Sequence, residues 1–138
     1  MPSAIPPIHK QIGVAVIHQQ GRILIDRRKE QGEMGGLWEF PGGKIEPGET
    51  VEECIEREIK EELNIEIIVG DRLTTITHAY KTFNITLYVH HCQYLSGEPQ
   101  PLESEEIHWV EPERLNQYQF PQANQQIIDL LQQRGISK

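Results

Sequence analysis

Residues 43–65, G-K-I-E-P-G-E-T-V-E-E-C-I-E-R-E-I-K-E-E-L-N-I, decide the fold of this chain. They open with a glycine-rich turn and continue into a segment dense in glutamate. Thr50 and Glu53 have the spacing of a capping box, in which each side chain bonds the backbone N–H of the other. Asn64 tolerates the left-handed conformation that often ends a helix. The segment therefore predicts a helix that begins at Thr50 and ends at Asn64.

The apolar side chains of this helix fall on one arc when successive residues are placed about 100° apart. Glu58 and Glu62 fall in the middle of that arc, at about 340° and about 20°, and Glu61 lies at its edge. Arg57 falls on the opposite side, so the pattern places no basic residue among these carboxylates. The apolar residues of the arc are Val51, Cys54, Ile55, Ile59 and Leu63.

Carboxylates in the middle of an apolar arc indicate a bound cation, because ionised carboxylates are costly to bury unless they are paired or bind a metal. Glu58, Glu61 and Glu62 stand at i, i+3 and i+4 and converge on one face. Ligand sets made of oxygen atoms suit Mg²⁺ or Mn²⁺. The alternative is a solvated helix rich in salt bridges. It explains the other glutamates of the segment but not the position of Glu58 and Glu62.

Composition limits the classes of protein that the chain can belong to. Its 138 residues suffice for a single domain over 1–138, and its 37% hydrophobic and 25% charged residues are typical of globular proteins. The formal net charge of −8 argues against long nucleic acid as a partner, but not against a small nucleotide that brings a cation. Two cysteines indicate neither a disulfide framework nor a zinc site. We find no apolar run of membrane-spanning length and no signal pattern, and expect a cytoplasmic monomer.

Short apolar or alternating runs predict an α+β fold with a mixed sheet between helices. The predicted strands are 12–18, 22–27, 65–69, 73–80, 83–94 and 107–110, and a C-terminal helix is predicted over 121–134. The first two strands form a hairpin across the turn 19–21. Trp38 and Phe40 share one face of an extended segment and Glu39 takes the other. Residues 1–10 form a proline-rich lead-in.

The glutamate-rich segment resembles the Nudix box, G-x5-E-x7-R-E-U-x-E-E-x-G-U, in which U is a bulky apolar residue. The matching residues are Gly43, Glu49, Arg57, Glu58, Ile59, Glu61, Glu62 and Ile65. Asn64 stands where the family usually has glycine, and it keeps the left-handed helix end accessible. The resemblance implies a Nudix-like α/β/α sandwich, with the mixed sheet between the box helix and the C-terminal helix.

The resemblance also implies roles for these residues. Glu58, Glu61 and Glu62 resemble the family's ligands for Mg²⁺, with Mn²⁺ as a substitute. Arg57 and Glu49 resemble its internal ion pair, which orients the box. We favour Glu58 as the group that accepts the proton of the attacking water. Glu49, Arg57 and Glu58 are therefore the predicted catalytic residues.

Two predicted ligands lie outside the helix. The backbone at Gly42, which opens the turn, resembles the position that adds a carbonyl ligand. In the polar loop 96–106, one glutamate completes the metal site in related enzymes, and Glu103 is the best positional match. Glu105 and Glu106 remain alternatives, and so does an ordinary solvated loop.

Three more segments resemble the MutT branch of the family, the oxidised-purine triphosphate hydrolases; they are 37–50, 97–99 and 120–124. Asn124 matches the asparagine that reads the purine edge, and Arg28 matches an arginine that lines the nucleotide pocket. Phe40 precedes the glycine turn, where its ring can flank a base. The alternatives are a solvated Arg28 and a Phe40 that only fills the core. The turn Lys81-Thr82 lacks the carboxylate that the branch can carry near the base.

The resemblance implies hydrolysis of a nucleoside triphosphate, above all 8-oxo-dGTP, to the monophosphate and pyrophosphate. Such an enzyme cleans the nucleotide pool and thereby avoids mutations. Other substrates of the family remain open: CTP or another pyrimidine triphosphate, a dinucleoside polyphosphate, or a nucleotide sugar. A Nudix fold that binds without hydrolysis is disfavoured, because such modules usually have an eroded box and Glu58, Glu61 and Glu62 are all present.

Overall fold

The computed structural model describes residues 8–32 and 34–136, so most of the predicted lead-in lies outside the described residues. The elements are β1 Ile8–Gln19, β2 Arg22–Arg27, β3 Trp38–Glu39, β4 Gly42–Lys44, α1 Val51–Leu63, β5 Glu66–Ala79, β6 Phe83–Ser96, β7 Glu106–Val110 and α2 Gln125–Ile136. Short 3-10 helices at Pro112–Gln117 and Gln122–Asn124 precede α2. In the part of the chain described here, no helix has the length and apolar character of a membrane span.

The strands form one mixed sheet in the order β3-β2-β1-β6-β5, with β4 paired to β1 and β7 paired to β2. β1 runs parallel to β6, and the other pairs are antiparallel. The predicted hairpin between β1 and β2 is confirmed. Its two turn residues, Gln20 (φ 52°) and Gly21 (φ 77°), are both left-handed, as a tight two-residue hairpin loop requires.

The sheet carries an apolar cluster on each face. In β1, Val14 and Val16 point to the cluster that α2 covers, whereas Ala15 and Ile17 point to the cluster that α1 covers. α2 contributes Ile127, Ile128 and Leu131, and α1 contributes Ile55, Ile59 and Leu63. The sheet therefore lies between the two helices, and the predicted sandwich is confirmed.

Both predicted ends of α1 are confirmed. The Thr50 hydroxyl accepts from the Glu53 N–H at 3.0 Å, and the Glu53 carboxylate accepts from the Thr50 N–H at 3.0 Å. Asn64 is left-handed (φ 58°) and donates its N–H to the Lys60 carbonyl at 3.0 Å. Local side-chain chemistry thus fixes where the helix begins and ends.

Several predicted element boundaries were wrong. β1 begins at Ile8, inside the predicted lead-in, rather than at Ile12. The segments 65–69 and 73–80 form the single strand β5, because the break at Gly70 is absorbed as bulges against β6. Gly70 suits this place, since a Cβ there would lie 3.2 Å from the His91 carbonyl oxygen. The last helix starts at Gln125 rather than Pro121, because Pro121 is extended (ψ 152°) and a 3-10 turn follows it.

Candidate active site

Arg57 of α1 is the centre of an ion-pair network. Its Nε donates to Glu49 at 2.7 Å and its Nη2 donates to the second Glu49 oxygen at 3.0 Å. Its Nη1 donates to Glu58 at 2.9 Å and to Glu61 at 3.3 Å. The expectation that no basic group stands among these carboxylates was wrong. The helical angle locates the base of a side chain, whereas the long Arg57 side chain carries its guanidinium back across the helix.

The predicted pair between Arg57 and Glu49 is present and bidentate. The hydrogen bonds from Arg57, together with one from the Glu46 N–H, lower the pKa of Glu49 to about 2. The same pair raises the pKa of Arg57 above its usual range. Arg57 Nη2 also donates to the Lys44 carbonyl at 3.1 Å, so the guanidinium ties the loop after β4 to the middle of α1.

Glycines let the helix carboxylate approach the β4 backbone. Gly42 and Gly43 pair with β1, and a Cβ on Gly42 would lie 2.0 Å from the Gly13 carbonyl oxygen. A Cβ on Gly43 would lie 2.2 Å from the carboxyl carbon of Glu58. The side chain of Glu58 is only 15% exposed and packs directly over this strand. Burial raises the pKa of Glu58, although the Arg57 hydrogen bond opposes that shift.

A cavity of about 440 Å³ opens beside this strand. Its polar lining is formed by Lys10, Asp26, Arg28, Lys29, Gln31, Glu39, Glu62, Glu103, Ser104 and Asn124, together with the backbone of Gly42 and Gly43. Aromatic and aliphatic side chains form the remainder, among them Phe40, Tyr80, Phe83 and Leu87. The cavity thus joins an acidic group (Asp26, Glu39 and Glu62) to a largely apolar space.

Glu62 and Asp26 are the most perturbed acids of the cavity. Burial is the first cause that raises the pKa of Glu62 to about 10, and the charges of Asp26 and Glu39 add to it. Burial likewise raises the pKa of Asp26 to about 9, with Glu39 as the next cause. One oxygen of each, Glu62 Oε1 and Asp26 Oδ1, is buried without a hydrogen-bond partner.

Neither Asp26 nor Glu39 was predicted from the sequence to be part of the site. The two residues face each other across β2 and β3, and Arg28 Nη1 donates to Glu39 at 3.1 Å. A signal was present, because Asp26 shares its strand face with Leu24, which is fully buried under α1. An acid on a buried strand face needs a partner, and the linear pattern did not show which partner it meets.

The predicted base-contacting residues surround the apolar part of the cavity. Phe40 is 3% exposed and stacks on Phe120, with ring centroids 5.1 Å apart, so it is both a core residue and a cavity wall. Asn124 lies on the 3-10 turn before α2 and lines the cavity. The Tyr80 hydroxyl accepts from the Ala123 N–H at 3.0 Å and so fixes that turn to the end of β5.

The loop acids differ in their surroundings. Glu103 is exposed and lines the cavity. Glu106 pairs with Arg27 at 3.2 Å and with His108 at 3.2 Å, on β7. Glu105 donates its backbone N–H to the Arg27 carbonyl at 2.8 Å. Among these three acids, only Glu103 stands in the cavity lining, which favours it as the loop ligand.

The acid residues fit a hard divalent cation in charge and chemistry. Four acids lie close together: Asp26, Glu39, Glu58 and Glu62. Arg28 forms a salt bridge with Glu39, and Arg57 forms one with Glu58. The orphaned oxygens of Asp26 and Glu62 are the kind of donor that Mg²⁺ takes.

The carboxylates do not form a finished metal cage. The Glu61 side chain is 52% exposed and turns towards Arg57. Within residues 8–32 and 34–136, no three His, Cys, Asp or Glu side chains are arranged to hold a metal ion as they stand. Arg57 bonds one oxygen of Glu58 and one of Glu61, which leaves the second oxygen of each without a bond from Arg57.

Comparisons with known proteins show the family and the fold of the chain. The NUDIX domain family model matches residues 13–130. The chain is 33% identical to the CTP pyrophosphohydrolase of Escherichia coli K12 over 119 residues. This match covers 86% of the chain and 88% of that protein. It is 33% identical over 122 residues to the 8-oxo-dGTP diphosphatase of Haemophilus influenzae, which covers 88% and 90%. The fold matches a crystal structure of a MutT protein from Methanosarcina mazei with a TM-score of 0.84, at 24% identity over 96% of this chain and 99% of that one.

Proposed function

The chain belongs to the Nudix family and is a Nudix pyrophosphohydrolase, and we propose that its substrate is 8-oxo-dGTP, cleaved to the monophosphate and pyrophosphate. One observation carries this proposal: a single cavity joins the acidic group to a space lined by Asn124 and aromatic rings. Phosphates with their cations suit the acidic group, and a purine suits the apolar space. Enzymes of the family act on small nucleotides, and this activity would remove oxidised nucleotides before DNA synthesis.

The residues divide the work of phosphoanhydride cleavage. Water adds to the β phosphorus, the bond from that phosphorus to the oxygen of the leaving monophosphate breaks, and a carboxylate takes the proton of the water. Glu58 is our choice for that base. Gly43 lets its carboxylate approach the cavity wall, and a carboxylate held beside a cation stays ionised and can accept a proton. Arg57 and Glu49 hold the helix and the loop in register around it.

A divalent cation, Mg²⁺ with Mn²⁺ as a substitute, would neutralise phosphate charge and lower the pKa of the attacking water when bound. Glu58, Glu61 and Glu62 would hold it, and the Gly42 carbonyl and Glu103 would complete the ligand set. Burial of Glu62 and the exposure of Glu103 in the cavity lining support these two assignments most directly.

Base selection falls to Asn124 and its neighbours. The Asn124 amide offers donors and an acceptor, which suits a purine whose hydrogen-bonding edge is altered by oxidation. Arg28 is held by Glu39 at 3.1 Å and lines the cavity, so it can reach a phosphate or the base. The ring of Phe40 forms part of the wall against which a base would stack.

CTP is the second candidate. It is favoured by the relative named CTP pyrophosphohydrolase and by the turn Lys81-Thr82, which lacks a carboxylate for an oxidised guanine. The Asn124 amide offers donors and an acceptor, which suit either base. The two candidate substrates are therefore to be distinguished by their measured rates of hydrolysis.

The test is steady-state hydrolysis of 8-oxo-dGTP, dGTP, CTP, a dinucleoside polyphosphate and ADP-ribose, with Mg²⁺ and then with a chelator. We expect the highest kcat/KM for 8-oxo-dGTP and loss of activity on chelation. Asn124→Ala should reduce the preference for 8-oxo-dGTP over dGTP. A preference for CTP would move the assignment to the second candidate. Absence of hydrolysis with every nucleotide would instead indicate a binding module.

A further inference from the structure

We propose that Asp26 is a further carboxylate of the metal centre and that it holds a divalent cation together with Glu62. The inference rests on the proposed metal-dependent function, and it concerns a residue outside the Nudix box. Asp26 lies in β2, whereas Glu62 lies in the last turn of α1. The centre would then be built from both layers that meet at this cavity.

The position of Asp26 leaves it few ways to reach water. β2 is an interior strand, and Asp26 pairs with Glu39 on one side and with Ile107 on the other. Its residue exposure is 3%. A carboxylate in this position has lost most of its hydration and must recover it from hydrogen bonds or from a cation.

Protein partners do not fully replace that hydration. Asp26 Oδ1 has no hydrogen-bond partner, and Glu62 Oε1, which lines the same cavity, has none either. Buried polar atoms without partners are rare in folded proteins, and two such oxygens on neighbouring acids are a specific feature. Arg28 also lines this cavity, but its Nη1 donates to Glu39, and its Nε is buried without a hydrogen-bond partner.

A bound divalent cation would give both orphaned carboxylate oxygens a partner. Mg²⁺ and Mn²⁺ bind carboxylate oxygens and retain waters, so two orphaned oxygens from separate elements suffice to anchor one ion. The competing explanation is a purely structural acid pair, in which Asp26 and Glu39 share a proton and bind nothing. The two explanations differ in what happens at Asp26 when a metal is added.

The sequence allows a sharp test, because the chain contains three aspartates, Asp26, Asp71 and Asp129. Aspartate labelled with ¹³C at the side-chain carboxyl gives one signal for each of them, and Asp71→Asn and Asp129→Asn assign the two surface signals. Mn²⁺ is then added to the nucleotide-free wild-type chain. Paramagnetic broadening should remove the Asp26 signal first, at a Mn²⁺ concentration at least tenfold below that which affects the other two.

The Mn²⁺ affinity of the Asp26→Asn variant gives a second test. Titration calorimetry of Mn²⁺ into Asp26→Asn should show at least a tenfold weaker affinity than wild type, or one ion fewer, whereas Asp71→Asn should bind as wild type does. Circular dichroism checks that each variant is folded. If Asp26→Asn fails to fold, the labelling experiment on the wild-type chain still tests the inference, because an Asp26 signal that stays sharp when Mn²⁺ binds overturns it.

The outcomes separate this inference from the proposed function. If Mn²⁺ binds but the Asp26 signal stays as sharp as the other two, the metal-dependent function survives and the role of Asp26 is overturned. If Asp26→Asn binds Mn²⁺ as wild type does, the structural acid pair is the correct explanation. If the wild-type chain binds no Mn²⁺ at all, both the inference and the metal dependence fail.

Discussion

Replacing Gly43 with alanine should disable the enzyme through Glu58 and leave the fold intact. Gly43 does not occupy the left-handed region, so alanine is compatible with its backbone. The new Cβ would lie 2.2 Å from the Glu58 carboxyl carbon and 2.4 Å and 2.5 Å from its oxygens. Because these atoms are the far end of a flexible side chain, the carboxylate moves and the strand stays.

The size of the effect follows from that displacement. Ordinary contact for a Cβ begins near 3.4 Å, so the carboxyl carbon must move from 2.2 Å by about 1.2 Å. A misplacement of about 1 Å in a catalytic group can cost about 100-fold in rate. We therefore expect kcat to fall about 100-fold, which corresponds to about 2.7 kcal/mol in the barrier. The melting temperature should change by less than about 5 °C, because only a partly exposed ion pair with Arg57 is disturbed.

The assay is steady-state kinetics on the preferred nucleotide, with thermal melts of the same preparations. A double-mutant cycle with Glu58→Gln tests the cause: if Gly43→Ala acts through Glu58, the double variant should be no slower than Glu58→Gln alone. Gly42→Ala is the contrasting variant, since its Cβ would meet the Gly13 backbone oxygen at 2.0 Å and should destabilise the sheet itself. Gly43→Ala with more than a third of wild-type activity, or additive effects in the cycle, would refute this account of Glu58.

Other substitutions test the remaining parts of the site. Arg57→Lys loses the bidentate geometry, so kcat should fall at least about tenfold. The Glu49 pair is fully stabilising above pH 4.5 and fades as the pH falls towards the folded-state pKa of about 2, so this variant should also unfold at a higher pH than wild type when acid melts are followed by circular dichroism. Glu62→Gln should stay folded and lose about 100-fold in turnover. The folded-state pKa of Glu62 is raised to about 10, so above pH 4.5 this residue ionises in the unfolded chain but stays protonated in the folded one. The free energy of unfolding of the wild type therefore falls as the pH rises. In a chelator at pH 8, Glu62→Gln should melt at a higher temperature than the wild type. Tyr80→Phe leaves the Ala123 N–H without its acceptor and should raise KM about threefold to tenfold with a smaller change in kcat, as measured by initial rates.

The parts of the fold that the sequence predicted well are those encoded by neighbouring residues. The capping box at Thr50 and the left-handed Asn64 set both ends of α1 through contacts within a few positions. The strand β2 was predicted with its observed bounds, Arg22–Arg27, because a tight turn precedes it and a loop follows it.

The site was harder to predict, because it depends on contacts between distant residues. The 3.6-residue period placed Arg57 away from the acids, although its guanidinium reaches Glu49, Glu58 and Glu61. Asp26 and Glu39 are 13 positions apart in a mixed sheet, and only the pairing of β2 with β3 brings them together. A linear pattern shows that an acid is buried, but not which other acids it will face.

The proposed divalent cation would account for this concentration of buried acid. The chain has a net charge of −8, and the cavity that would receive a polyanionic triphosphate is lined by Asp26, Glu39 and Glu62. When these carboxylates are ionised they would repel bare phosphates, since like charges in a partly desolvated space interact strongly. A divalent cation shared by phosphate and carboxylate removes that repulsion for both. The raised pKa values of Asp26 and Glu62 are then a stability cost carried by the cation-free protein, and functional sites commonly carry such a cost.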